Sequence, residues 1–249
     1  MAKGKKKKTQ QAEVIDRYGK AWLNKDGFAV LRSFMKLHFA FEGVDVDALR
    51  IIEAKKEFNY VRENASLFVD KNYMFDAIYR VEVNGKWVKV LVGIKDIEKK
   101  PTIAWMTAYA CYMFLYDIEN IIRRKGYDSL NGFGPDDFVE CFVMIVLNMS
   151  GEDWGSYVDV SDIYDNRDVS ERESIPIKVI NLGHLLDKER DVLDSEVLLA
   201  DEILREMQKF GKLEIVLEKY KDEMEKVSPE LFAVLMNMPG FAGKAKKEH

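Results

Sequence analysis

Histidine and cysteine are scarce in this chain, and the chemistry those residues carry is correspondingly not expected. Its three histidines, His38, His184 and His249, follow no ligand pattern such as H-x-x-x-H. Neither a zinc site nor a histidine-based nucleophile system is therefore anticipated. Its two cysteines, Cys111 and Cys141, lie in apolar stretches without metal spacing, and both read as buried free thiols in a reducing compartment. Long apolar runs are missing too. The longest, Cys141–Leu147, falls far short of the ~20 residues that a membrane span requires. No apolar segment follows the lysine-rich start Met-Ala-Lys-Gly-Lys-Lys-Lys-Lys, so no secretory signal is expected and the chain reads as cytoplasmic, with no membrane partner.

What is present suits an ordinary globular protein. Among 249 residues, 47% are apolar and 33% charged, enough material for a sizeable core. The net charge of −5 hides an asymmetry. Five lysines in residues 1–10, and three lysines against one glutamate in Gly240–His249, leave the body between them at −12. So acidic a body is a poor non-specific binder of phosphate backbones. The basic ends, residues 1–12 and 240–249, are expected to be disordered tails that could contact nucleic acid.

Local patterns give an order of elements. Ala12–Leu23 and Gly27–Phe41 read as helices; in the second, Phe28, Leu31, Phe34, Met35 and Phe39 form an apolar stripe. Asp45–Asn72 reads as a polar loop carrying one or two short elements. Phe75–Val83 and Lys86–Lys95 flank Asn84-Gly85, a pair that favours the primed turns of β-hairpins. Pro101 opens a helix over Thr102–Arg124, closed by the basic cluster Arg123, Arg124, Lys125 and then Gly126. Cys141–Met149, apolar on both faces, reads as a central strand, and Ile175–Asn181 as another. Ser195–Phe210, Lys212–Val227 and Glu230–Met238 read as helices, the last begun by Ser228-Pro229. The expected fold is α/β, with a mixed sheet flanked by helices.

That order, together with several short strings, resembles the Rpn (recombination-promoting nuclease, transposase-like) group of the PD-(D/E)XK nucleases. The strings are Asp76 at the start of the hairpin, Gly93-Ile94-Lys95-Asp96-Ile97 ending its second strand, a Tyr-containing helix over Ala104–Tyr116, and Gly151-Glu152-Asp153-Trp154-Gly155 after the buried strand. Phe28-Ala29 and Tyr220-Lys221-Asp222 also fit, so the likeness spans most of Glu13–Glu230. It implies a restriction-endonuclease-like core over residues 13–183, with a C-terminal helical extension over residues 184–239.

The resemblance further implies Mg²⁺ or Mn²⁺ held between two carboxylates on adjacent strands, because a hard divalent cation prefers oxygen ligands. Counting outward from Asn84-Gly85 sets Asp76 opposite Gly93 and places Asp76, Gly93, Lys95 and Ile97 on one face. Where the group has G-I-E-N-Q, this chain has Lys95 for the acid and Ile97 for the glutamine. Read as E-x-K instead, Gly93 replaces the acid. Either way the second carboxylate is missing from that face, unless a β-bulge re-aims Asp96 or Glu98. Val30 and Ser33 stand at candidate supporting positions of the second helix.

The leading expectation is thus a nuclease-like protein without catalysis, whose vestigial site is Asp76 and Lys95. It would need no cofactor and would act on a protein or DNA partner, with a homodimer left open. The alternative is an active endonuclease using Asp76, Mg²⁺ or Mn²⁺, and a displaced acid; an α/β protein unrelated to nucleases is the third reading. Other strings carry less. Gly132-Phe-Gly134-Pro135-Asp136-Asp137 contains G-x-G but follows a helix, so it reads as a loop-to-helix cap rather than a dinucleotide loop. Asp159, Asp162, Asp165 and Asp168 lack the glycine and terminal glutamate of a calcium loop and read as solvated surface. Trp22, Trp87, Trp105 and Trp154 read as core residues, with Trp87 on the Asp76 face. If residues 1–10 supply whatever affinity the protein has for nucleic acid, deleting them should abolish weak binding and flatten its salt dependence by ~0.9 per phosphate released. Binding titrations across a salt series check this, and unchanged binding after deletion would move the contact onto the folded body.

Overall fold

A strand buried on both faces needs cover on both, and Cys141–Asn148 imposes that architecture. The computed structural model describes residues 17–65, 76–95, 103–134, 137, 140–159, 176–211 and 213–237. They form a mixed six-stranded sheet in the order β1-β2-β3-β4-β6-β5. Its strands are β1 (Arg50–Glu53), β2 (Ala77–Val83), β3 (Lys86–Lys95), β4 (Cys141–Asn148), β5 (Tyr157–Asp159) and β6 (Pro176–Asn181). β1, β2 and β3 form an antiparallel meander, β3, β4 and β6 run parallel, and β5 returns antiparallel to β6. Helix α4 (Ile103–Lys125) makes the crossover between parallel strands β3 and β4.

Alternation along the strands sorts side chains into two layers. Ala77, Tyr79, Val81, Val90, Val92, Ile94, Ile145 and Leu147 enter the larger core, which also contains residues of α1 (17–24), α2 (Ala29–Lys36), α6 (Ser195–Phe210) and α9 (Pro229–Asn237). Ile78, Leu91, Met144, Val146, Ile177 and Val179 enter the smaller core with α3 (Lys55–Ala65) and α4. Three short helices, α5 (Asp187–Arg190), α7 (Leu213–Lys219) and α8 (Lys221–Met224), complete the described chain. The α/β class with a mixed sheet between helices is as the sequence indicates. Helices of the C-terminal segment, 184–237, contribute Val197, Ile203, Val216 and Leu235 to the same core as Trp22 and Phe34. No helix among the described residues is long and apolar enough to cross a membrane.

Several boundaries differ for identifiable reasons. The expected helix Gly27–Phe41 holds only over Ala29–Lys36, because His38 turns extended and caps a 3₁₀ turn, Phe39–Phe41, through Nδ1. The polar segment after Asp45 contains β1 and the eleven-residue α3. The expected Lys212–Val227 helix kinks at Tyr220 (φ −105°, ψ 20°) and splits into α7 and α8. Cys111 and Cys141 are free but exposed, not buried: Cys111 lies on the outward side of α4 and Cys141 is the first residue of β4. Within the string that begins at Gly132, the Gly134 amide donates to Asp137 Oδ2 at 2.8 Å; Pro135 and Asp136 lie outside the described residues, and the next described element is β4.

The N- and C-terminal helices are joined by one carboxylate. Glu196 sits in the first turn of α6, where a negative charge suits the helix dipole. Its Oε2 accepts from Trp22 Nε1 and Ser228 Oγ, both at 2.8 Å; its Oε1 accepts from Lys25 Nζ at 2.9 Å and the Ser228 amide at 2.8 Å. Burial alone would push this carboxyl up, but the bonds from Lys25, Ser228 and Trp22 outweigh it and hold it below the usual range. A depressed folded-state pKa stabilises fully above the ordinary glutamate value of about 4.3 and fades as pH falls through the folded value. Glu196→Ala should therefore cost about 2–3 kcal/mol at pH 7, since buried donors lose their acceptor. The gap from wild type should narrow by pH 3; urea unfolding at the two pH values measures it.

Candidate functional site

Strand direction gathers polar residues at one edge of the sheet. β3, β4 and β6 end there and β2 begins there, because β2 is antiparallel to β3. The register continues Ala77↔Val92 outward to Asp76 and Gly93, and sets Lys95 beside Asn148 and Asn148 beside Asn181. The turn behind this register is as read from Asn84-Gly85, both at positive φ (50° and 73°). By alternation, Asp76, Lys95, Asn148 and Asn181 all face the α3–α4 side. All four are buried.

The first two form an ion pair. Asp76 Oδ2 lies 3.3 Å from Lys95 Nζ, with 3% and 4% of the two side chains exposed. The same oxygen accepts the backbone N–H of Ile94. A carboxylate so far from water needs a cation and hydrogen-bond donors, and here β3 supplies both. The donor set suits a divalent metal poorly. The one carboxylate among the described residues here is too few for a hard cation, and an ammonium at 3.3 Å opposes a second positive charge. Among the described residues no group of three or more His, Cys, Asp or Glu could hold a metal ion. Asp96, Ile97 and Glu98 lie outside the described residues.

Other positions named from the sequence separate from this edge. Val30 and Ser33 are buried on α2, with Val30 in the core on the opposite side of the sheet, and Ser33 Oγ donates to the Val30 carbonyl at 2.8 Å. Trp87 does share the Asp76 face, but at the far end of the hairpin opposite Glu82. The guanidinium groups of Arg80 and Arg50 lie 4.8 and 5.5 Å from its ring. Trp22 and Trp154 are core residues, whereas the Trp105 side chain lies outside the described ones. Asp162, Asp165, Asp168 and both basic tails are likewise outside. Exposed Cys141 is no activated nucleophile, since partial burial pushes its thiol up and Glu140 adds to this.

Asn148 and Asn181 went unnoticed in the sequence. Asn148 Nδ2 donates to the Glu152 carbonyl at 2.6 Å and to Asn181 Oδ1 at 2.8 Å; Asn181 Oδ1 also accepts the Trp154 amide at 3.1 Å, and Asn181 Nδ2 donates to the Gly155 carbonyl at 3.0 Å. The two amides thus clamp the Gly151–Gly155 loop beside the ion pair. A signal was available: two apolar strands, Val-Leu-Asn and Val-Ile-Asn, each end on asparagine.

A second charged group occupies the other end of the same face. Lys89 Nζ bonds to Asp117 Oδ1 of α4 and lies 3.8 Å from Glu140 Oε2, which accepts from Arg80 Nε at 3.0 Å. Burial pushes the Asp117 carboxyl up and the Lys89 bond pulls it partly back. These groups pin α4 to the sheet. No family model, no curated protein and no solved structure matches this chain.

Proposed function

We propose that this chain is a nuclease-like protein of the Rpn, transposase-like type that does not cleave nucleic acid and acts by binding. The observation that carries the reading is the buried Asp76–Lys95 pair, with a lysine where the resemblance calls for the second metal-binding acid. The strand order supports it. A meander, a crossover helix and a strand parallel to the meander's last follow the order that the resemblance calls for, and Asp76 directly precedes the meander's second strand.

The ligand class follows from charge. A body carrying −12 repels phosphate backbones, so DNA contact would fall to the basic tails and the folded surface is left for a protein partner. In this reading the protein is cytoplasmic, needs no cofactor, and serves as a decoy, inhibitor or regulator of the kind mobile elements encode. Purified protein should then give no cleavage of plasmid or single-stranded DNA with Mg²⁺ or Mn²⁺. Cleavage that survives repurification and vanishes in Asp76→Ala would show that a displaced acid completes a working site.

A further inference from the structure

A buried carboxylate at the edge of a sheet has few ways to remain ionised. It needs donors, and it needs positive charge close by, because the penalty for removing a charge from water greatly exceeds what one neutral hydrogen bond returns. Asp76 meets both needs from within the chain. The Ile94 amide donates to Oδ2, and the next residue sends its ammonium to the same oxygen at 3.3 Å. Two consecutive residues of β3 thus hold the first residue of the β2 hairpin arm. Beyond Lys95 the sheet continues to Asn148 and Asn181, whose amides bond to each other and to the Gly151–Gly155 loop. Among the described residues the neighbouring ends of β4 and β6 carry the neutral amides of Asn148 and Asn181, and the charge that β3 brings to Asp76 is that of Lys95.

We infer that the Lys95 ammonium is a built-in cation: it neutralises Asp76 and ties the start of β2 to the end of β3, so this edge assembles without a metal and refuses one. The inference rests on reading the pair as the counterpart of a nuclease metal position, and it specifies how that position is filled. A tethered ammonium has a high local concentration and cannot diffuse away. It also brings one positive charge where a hard divalent ion would bring two and demand further oxygen ligands. Removing the ammonium while keeping the carboxylate should turn the edge into a site that borrows a cation from solution. Removing both charges should abolish the requirement.

The test is a thermal-unfolding series on the full chain. Lys95→Ala should lower Tm by about 6–20 °C, the range expected when one partner of a buried pair is lost in a chain of this size. Millimolar Mn²⁺ or n-propylammonium chloride should recover a substantial part of that loss relative to matched NaCl. Neither should shift wild type or Asp76→Asn/Lys95→Ala, and EDTA should leave wild type unchanged. Asp76→Asn/Lys95→Met, which carries neither charge and keeps the stem volume, should unfold within a few degrees of wild type. If Lys95→Ala does not fold unaided, soluble yield on refolding with either cation is the readout, with the charge-free double variant as the control that must fold without one. A Lys95→Ala as stable as wild type overturns the inference. So does a failure of both cations to restore it, or a rescue that persists in Asp76→Asn/Lys95→Ala. Mn²⁺ that stabilises wild type without cleavage overturns the built-in cation yet leaves the binding-only reading standing. Cleavage abolished by Asp76→Ala overturns that reading and the built-in cation with it.

Discussion

Burial of β4 on both faces is the constraint from which the rest follows. Val143, Ile145 and Leu147 point to one layer while Met144 and Val146 point to the other. Helices must therefore lie above and below, and polar side chains are driven to the two ends of the strands. Each end has answered with paired charges or saturated amides. Lys89, Asp117, Glu140 and Arg80 close one end; Asp76, Lys95, Asn148 and Asn181 close the other. Arg80 and Glu140 keep 26% and 28% of their side chains exposed, but the other groups are buried, so each of their donors must find an acceptor or cost free energy.

Legibility in the sequence tracked how local the cause was. Asn84-Gly85 needs positive φ at both positions, and that local demand fixed the hairpin register, hence the meeting of Asp76 and Lys95. Helix α6 was readable at both ends because Asp194 caps its first turn and Gly211 adopts φ 61° at its last. Serine 228 likewise starts α9, its Oγ accepting from the Leu231 amide at 3.2 Å. By contrast α3 shows little pattern of its own. Phe58, Tyr60 and Val61 pack into the core from an otherwise polar sequence, and its partner, α4, is distant in sequence.

Errors about the site came from the same source. Asparagine at a strand end reads as a loop residue, and nothing local says that Asn148 and Asn181 bond to each other across 33 positions. Cysteine in an apolar run reads as core, yet Cys111 occupies the side of α4 opposite Tyr109 and Met113, which face the sheet. The split of one helix at Tyr220 reflects a buried ring packed into the main core, a tertiary demand that propensity does not contain.

The bonds around Glu196 also bear on how the protein is made. Trp22 and Lys25 find their acceptor 174 and 171 residues later, and Leu31 and Phe34 share their core with Val197, Leu231 and Leu235. During synthesis α1 and α2 therefore emerge long before the C-terminal part of the core they share. Contacts so far apart in sequence make folding slow and leave nascent chains open to association. A product truncated before α6 would keep the sheet but lack the part of that core which α6 and α9 supply. Quality control could then distinguish whole from incomplete copies by the exposed indole and phenyl rings alone.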